Sequence, residues 1–84
     1  MLSQNHPNPF NPSTRIEYAV PKSGIVSLRV FDMLGREVAV LVDGSVEAGW
    51  YSVNFNAQNL SSGVYLYRLE VGGSSVTKRL VLVK

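Results

Sequence analysis

From residue 14 onward, apolar and polar residues alternate along the chain with a period of two. Thr14, Ile16, Tyr18 and Val20 fall on one side of the first run, and the charged residues between them fall on the other. Successive side chains of a β-strand point to opposite faces of a sheet, so this alternation predicts strands with one buried face. Similar runs follow over residues 26–30, 51–56, 64–71 and 76–83.

Short runs of turn-forming residues separate the predicted strands. Their sequences are PKSG (21–24), DMLGR (32–36), DG (43–44), EAG (47–49), NLSSG (59–63) and GGS (72–74). We expect the first two strands to form a hairpin or to be neighbours, and residues 37–42 to form a short strand ending at the Asp43-Gly44 turn. About six to seven short strands without a convincing helix indicate the all-β class. The spacing favours a small immunoglobulin-like antiparallel β-sandwich.

Residues 1–13 have a different composition, rich in Asn and Pro. Proline fixes φ and removes a hydrogen-bond donor, so this stretch is predicted to be extended or turn-rich and not a central strand. We therefore divide the chain into a Pro/Asn-rich linker and entry segment (1–13) and a sandwich domain (14–84).

Composition and charge narrow the class of protein. Eighty-four residues with 45% apolar content are enough for one domain with a core. The chain has no cysteine, so disulfides and thiol chemistry are excluded. A net charge of +2 is too small and too dispersed to indicate nucleic-acid binding. No apolar run approaches the roughly 20 residues of a membrane-spanning helix, so we expect no transmembrane segment.

The residues that usually carry catalysis are sparse. The one histidine, His6, lies in the Pro/Asn-rich stretch with no acidic residue near it in sequence. The six acidic residues fall on polar strand faces or in turns, and no phosphate-binding loop or calcium-loop pattern occurs. A single histidine without cysteine does not make a zinc site. We expect neither an enzyme nor a bound cofactor.

Trp50 is out of phase with Tyr51 and Phe55 on its strand. If those two residues face the core, Trp50 faces outward, where an indole ring can stack on a sugar. Partial burial under a neighbouring loop is the other interpretation. A carbohydrate-binding or adhesive accessory module of a secreted enzyme is therefore an alternative function for the chain.

The last strand is apolar on both faces near its end. Val76, Leu80 and Leu82 share one side with Lys78 and Lys84, whereas Val81 and Val83 share the other side with Thr77 and Arg79. Such a strand is either central and covered on both sides, or it presents an outward apolar and basic face to a partner. The residues alone leave both possibilities open.

Four segments resemble the motifs of one family, in order and over nearly the whole chain. Residues 5–14 (NHPNPFNPST) are similar to its NYPNPFNPST opening, with His6 in place of the usual Tyr. The other three are residues 31–38 (FDMLGREV), 60–69 (LSSGVYLYRL) and 78–84 (KRLVLVK). Together they resemble the type A C-terminal sorting domains of the type IX (Por) secretion system of Bacteroidetes and related phyla.

The resemblance implies a non-catalytic, immunoglobulin-like tag on an upstream cargo domain. The cargo would cross the periplasm and leave through the outer-membrane type IX translocon, to stay at the cell surface or enter the medium. The implied partners are the translocon, a shuttle protein and a sortase-like peptidase.

Specific residues receive roles from this resemblance. We expect Lys78, Leu80, Val81, Val83 and Lys84 to carry recognition by the translocon. Gly35, Gly63 and Tyr65 are expected to serve the fold, with a positive φ at the glycines and a core aromatic ring at Tyr65. Pro7, Asn8 and Pro9 are either recognised or stiffen the start of the domain. A passive spacer domain is a further rival function.

Overall fold

A computed structural model describes all residues, 1–84, and contains six β-strands and no helix. The strands are β1 (Ser13–Val20), β2 (Gly24–Phe31), β3 (Glu37–Val46), β4 (Gly49–Asn56), β5 (Gly63–Val71) and β6 (Ser74–Leu82). Each coincides with a run of alternating or β-branched residues, and the first five end near a turn sequence of the kind predicted. The expected all-β class is confirmed.

The six strands form two antiparallel sheets that pack face to face as a small sandwich. The first sheet pairs β1 with β4, and the second has the order β3-β2-β5-β6. Within the second sheet β2 pairs with both β3 and β5, and β5 pairs with β6. β1 and β2 therefore belong to different sheets, and the hairpin considered for them is wrong, because the turn at residues 21–23 carries the chain from one sheet to the other.

Residues 1–12, which we call the N-terminal segment, lie along both sheets. His6 and Arg15 of β1 exchange two backbone hydrogen bonds of 2.9 Å each. Further along, the backbone N–H of Phe10 donates to Val81 and its carbonyl accepts from Val83, both at 3.0 Å, in a parallel bridge to β6. The stretch predicted as a linker is thus joined to both sheets by isolated β-bridges and closes the gap between them.

The resulting order is that of an immunoglobulin-like sandwich. The N-terminal segment, β1 and β4 make one layer, and β3, β2, β5 and β6 make the other. Near the start of β5, the Tyr65 hydroxyl donates to the carbonyl of Ser61 four residues upstream, at 2.6 Å. This is the tyrosine corner found in many such sandwiches, where it anchors the chain as it enters the strand.

The core lies between the two layers and follows the predicted alternation. β1 buries every second residue, and the same holds for β2 and for most of β5. The N-terminal segment adds Leu2 and Phe10, which are 5% and 2% exposed. The largest side chains that are fully enclosed are Tyr67, Ile16, Leu28, Leu80, Leu82, Val20, Val26 and Val30.

β3 is longer than the sequence suggested. A turn was expected at Asp43 and Gly44, yet the strand runs to Val46 and pairs with β2 along its whole length. Asp43 lies opposite Ser27, and its carboxylate is 3.4 Å from the Arg29 guanidinium. This pairing keeps the Asp-Gly pair extended, and the chain turns only after Val46. Two bulges interrupt the β2–β3 register and leave this edge strand less open to pairing with another chain.

Candidate functional site

The four motif segments converge at one end of the sandwich. In the second sheet, Phe31 at the end of β2 lies opposite Leu66 of β5, which lies opposite Arg79 of β6. The N-terminal segment reaches the same place, since Asn8 and Phe10 contact the last strand. Segments spread over the whole chain thus meet where the chain ends, and we call this region the C-terminal end of the sandwich.

The turn between β2 and β3 is organised by the carboxylate of Asp32. Its Oδ1 accepts hydrogen bonds from the backbone N–H groups of Leu34 and Arg36, both at 2.9 Å. Its Oδ2 accepts from Nε of Arg36 at 2.7 Å. These bonds, with the one from the Arg36 backbone as the largest contribution, lower the pKa of Asp32. Gly35 has φ of 84°, a left-handed conformation that glycine adopts without steric cost.

The loop before β5 holds the chain end from the other side. The backbone N–H of Lys84 donates to Oγ of Ser62 at 3.0 Å, and its ammonium donates to the carbonyl of Gln58 at 2.6 Å. Gly63 has φ of 156°, and Tyr65 is buried with 8% exposure. Both residues therefore support the loop that receives Lys84.

The N-terminal segment covers the outer edge of β6 near its end. The Asn8 side chain accepts a hydrogen bond from the backbone N–H of Val81 at 2.9 Å, next to the bridge made by Phe10. The Gln4 side chain donates to the carbonyl of Arg79 at 2.7 Å. Backbone groups at the edge of a sheet otherwise stay free to pair with other chains, so this contact closes that half of the edge.

A buried polar cluster fixes the N-terminal segment in place. The Tyr67 hydroxyl donates to the carbonyl of Ser3 at 2.7 Å and accepts from the backbone N–H of Asn5 at 2.9 Å. The Asn5 side chain donates to Oγ1 of Thr14 at 3.0 Å and to the carbonyl of Pro7 at 3.1 Å. Burial raises the pKa of Tyr67, which keeps its hydroxyl protonated and able to donate.

The last strand divides its apolar residues between two environments. Leu80 and Leu82 point into the core and are 0% and 1% exposed. Val81 is half-buried on the opposite, outer face, and Val83 is 51% exposed. β6 is an edge strand whose outer face carries no further layer, so the interpretation as a central strand covered on both sides is wrong.

Because Leu80 is enclosed in the core, it is not available for direct contact with a partner. A partner that binds the folded domain has no access to a side chain that is fully enclosed. Lys78, Val81, Val83 and Lys84 are all at least partly exposed, and they are the members of the predicted recognition set that a partner is able to touch.

The cations of the last strand differ from the others on the second sheet. Arg29 is paired with Glu37 at 2.7 Å, Arg36 with Asp32 at 2.7 Å, and Arg68 with Glu70 at 3.7 Å. The pairing with Glu37 raises the pKa of Arg29. Lys78, Arg79 and Lys84 take part in no salt bridge. Their charges are therefore not neutralised within the domain.

Residues 5–84 match the family model described as the secretion system C-terminal sorting domain. The chain belongs to this family. No curated protein matches it significantly.

Membership of this family indicates the general function of the domain. The family comprises sorting signals of type IX secretion and is not an enzyme family. A sorting domain implies an upstream cargo, the type IX machinery, and export of the protein to the cell surface or the medium. No helix in the domain is long and apolar enough to cross a membrane.

Other residues singled out in the sequence lie away from the C-terminal end of the sandwich. Trp50 is 73% exposed on the outer face of the first sheet, so the interpretation that it is partly buried under a neighbouring loop is wrong. Tyr51 faces inward, where its ring stacks on that of Tyr18 at 5.4 Å. His6 is exposed and holds β1 through its backbone. No three His, Asp or Glu side chains cluster as a metal ion would require.

Sequence reasoning missed three outer-face residues beside Val81. Val64 lies opposite Val81, and Leu66 and Phe31 lie opposite each other in the next row. The sequence pattern does identify Val64 and Leu66, because they are apolar and lie on the same face of β5 as the charged Arg68 and Glu70.

Proposed function

We propose that this domain directs an upstream cargo protein through the outer-membrane type IX translocon, and that the folded domain is recognised at its C-terminal end. The observation that carries the proposal is the convergence of all four family motifs at that end, on a domain that matches the sorting family over residues 5–84. A shuttle protein and a sortase-like peptidase act as further partners. The cargo passes through the periplasm and reaches the cell surface or the medium.

The motifs divide into supporting and contacting residues in this proposal. Asn8, Gly35, Gly63 and Tyr65 shape the end of the sandwich through the contacts described above. Pro7 supports it as well, since its carbonyl accepts from Oγ1 of Thr14 at 2.8 Å. Pro9 stiffens the segment between Asn8 and Phe10. Lys78, Val81, Val83 and Lys84 contact the partner, and Leu80 acts from the core by holding β6 in place.

Release of the cargo by a peptidase also depends on the N-terminal segment. Leu2, Asn5 and Phe10 are buried in the folded domain, and a protease cleaves readily only where the backbone is exposed and mobile. We therefore place the cleavage point ahead of Leu2, so that the domain leaves the cargo as an intact sandwich.

The test is export of a reporter that carries its own signal peptide and this domain at its C-terminus, in a type IX-competent host. We expect the reporter at the cell surface or in the medium. In a host without the translocon it should stay in the periplasm. Surface delivery that is unchanged without the translocon would overturn the proposal, and so would periplasmic retention in the competent host.

One observation favours a second function, glycan binding. Trp50 is 73% exposed. On the same outward face lie Ser52, two residues further along β4, and Glu17 of β1, which is paired with Ser52. An open indole beside hydrogen-bonding groups suits a sugar ring. The purified domain would then be retarded on a polysaccharide affinity gel, and Trp50→Ala would abolish the retardation. Equal mobility of both proteins excludes this function.

A further inference from the structure

The outer face of the second sheet is divided into an apolar half and a polar half. Toward the C-terminal end of the sandwich, its outward residues on β2, β5 and β6 are Phe31, Val64, Leu66 and Val81, which are apolar, and Arg79, and Val83 just beyond β6 continues the apolar pattern. Toward the other end, the outward residues of the same strands include Ser27, Glu70, Thr77 and Ser75. We define the outer apolar patch as Phe31, Val64, Leu66, Val81 and Val83.

The patch is continuous across three strands. Val64 lies opposite Val81, and Leu66 lies opposite Phe31 on one side and Arg79 on the other. Four of its residues are half-buried by their neighbours, and Val83 is 51% exposed. The turn that follows Phe31 extends the apolar surface with Met33 and Leu34, which are 63% and 79% exposed.

An antiparallel sheet with one face on the core normally carries polar residues on its solvated face. The polar half of this face follows that rule except at the exposed Ile25, whereas the apolar half does not follow it. The first sheet covers the opposite face, and the N-terminal segment covers only the edge of β6. A contiguous apolar area on an open face is typical of a surface that binds another protein.

Charge indicates the chemistry of that partner. Arg79 borders the patch beside Leu66, and Lys84 adjoins Val83; neither forms a salt bridge. The acidic residues closest to the patch in sequence are Asp32, Glu70 and Glu37, and they are paired with Arg36, Arg68 and Arg29. The guanidinium of Arg68 also lies over the Phe31 ring, 4.8 Å from its centroid. The border of the patch is therefore positively charged, and a complementary surface must supply carboxylates there.

We propose that the outer apolar patch docks on a protein of the secretion machinery whose binding surface is apolar at the centre and acidic at its rim. This inference rests on the proposed sorting function and adds to it the face of the domain and the chemistry of the partner. The apolar residues supply the affinity, and Arg79 and Lys84 orient the contact.

The test compares matched pairs of variants in the reporter fusion. Val83→Asp places a charge in the patch, whereas Ile25→Asp places the same charge on the same face at the polar end, where Ile25 is 66% exposed. Arg79→Glu reverses a border charge, and Lys22→Glu is its control in the exposed turn after β1. Because all four positions are exposed, the purified domains should keep a wild-type melting temperature within a few degrees.

We expect export to fall about tenfold or more for Val83→Asp and Arg79→Glu, and to stay unchanged for the two controls. Wild-type export of both patch variants, with export of the parent fusion still dependent on the translocon, refutes the patch and leaves the sorting function standing. Failure of the parent fusion itself refutes the sorting function instead. An equal loss for Ile25→Asp overturns the placement of the surface.

Binding of a second copy of the domain to the outer apolar patch is the alternative that remains to be tested. Analytical ultracentrifugation of the purified domain should show a monomer for wild type and for Val83→Asp. A wild-type dimer that Val83→Asp dissociates would make the patch a self-association surface and would overturn the proposal.

Discussion

At the scale of single residues, a few polar side chains decide how the termini are held. Tyr67 is fully buried, yet its hydroxyl makes two hydrogen bonds to the backbone of the N-terminal segment. Asp32 makes three hydrogen bonds within one turn. No buried side-chain nitrogen or oxygen lacks a partner. The Tyr67 hydroxyl and the Asp32 carboxylate form hydrogen bonds with backbone atoms that would otherwise have no partner in the protein.

Replacing Tyr67 with Phe tests the buried cluster. The change leaves the Asn5 N–H and the Ser3 carbonyl without their partner, so we expect a loss of about 1–3 kcal/mol in the free energy of unfolding. Urea denaturation followed by circular dichroism measures it. Tyr51→Phe is the control, because its hydroxyl makes an exposed bond to the Glu47 carbonyl. A loss no larger than that of the control would contradict the role assigned to Tyr67.

Because of Asp32, we expect the free energy of unfolding to decrease at acid pH. Its pKa is lowered in the folded state from 3.8, so its contribution is present above that value and is lost as the pH falls through the lower folded pKa. We expect Asp32→Asn to be less stable than wild type at pH 7 and equally stable in strong acid. Denaturation curves at both pH values provide the measurement. Glu17→Gln, which alters an acid without a salt bridge, should track wild type throughout.

At the scale of elements, the N-terminal segment is the feature that completes the sandwich. It pairs with β1 through its first half and with β6 at Phe10. Its buried Leu2 and Phe10 fill the space between the two sheets, where the Phe10 and Phe55 rings lie 6.2 Å apart. The segment therefore stabilises both the core and the last strand, although prolines make it irregular.

The Phe10→Ala variant tests this element. Removal of a buried phenylalanine side chain costs about 3–5 kcal/mol, a large share of the stability of so small a domain. We expect a strongly lowered melting temperature, with backbone amides of residues 80–83 exchanging faster with deuterium. Met33→Ala, which shortens an exposed side chain, should change neither. If Phe10→Ala melts like wild type, the N-terminal segment is not an integral part of the fold.

At the scale of the whole molecule, the fold brings residues near both chain ends together with two loops from the middle of the sequence. The C-terminal end of the sandwich contains the start of the domain, the β2–β3 turn, the loop before β5 and the last residues. The outer apolar patch lies on the same end. Recognition of this region therefore depends on the folded domain, because no short peptide of the chain contains all of it.

Truncation separates folding from recognition at this scale. Deleting residues 80–84 removes Leu80 and Leu82 from the core, and we expect the cooperative unfolding transition to disappear. Deleting residues 83–84 removes exposed side chains and their hydrogen bonds to Phe10, Ser62 and Gln58 but none of the core, so the transition should remain, at a lower temperature, while export of the reporter falls. Differential scanning calorimetry and the export assay together check both statements. A folded domain after the larger deletion would contradict the assignment of the two leucines.

The sequence by itself determined the strands, the buried faces of β1, β2 and β5, and the family, but it left open whether Trp50 is exposed. These features follow from local period, turn residues and ordered motifs, which act over a few positions. It did not determine that β1 and β2 lie in different sheets, that β3 passes through Asp43 and Gly44, or that the N-terminal segment bridges both sheets. Those outcomes depend on pairing between residues far apart in the chain.

The same distinction applies to the candidate site. The sequence showed that residues 80–83 are apolar on both sides of the last strand, but it did not show which side is enclosed. The tertiary structure decided this, because the first sheet and the N-terminal segment enclose Leu80 and Leu82 and leave Val81 and Val83 outside. It also placed Phe31, Val64 and Leu66 beside those valines, since only the register of β2, β5 and β6 brings these residues together.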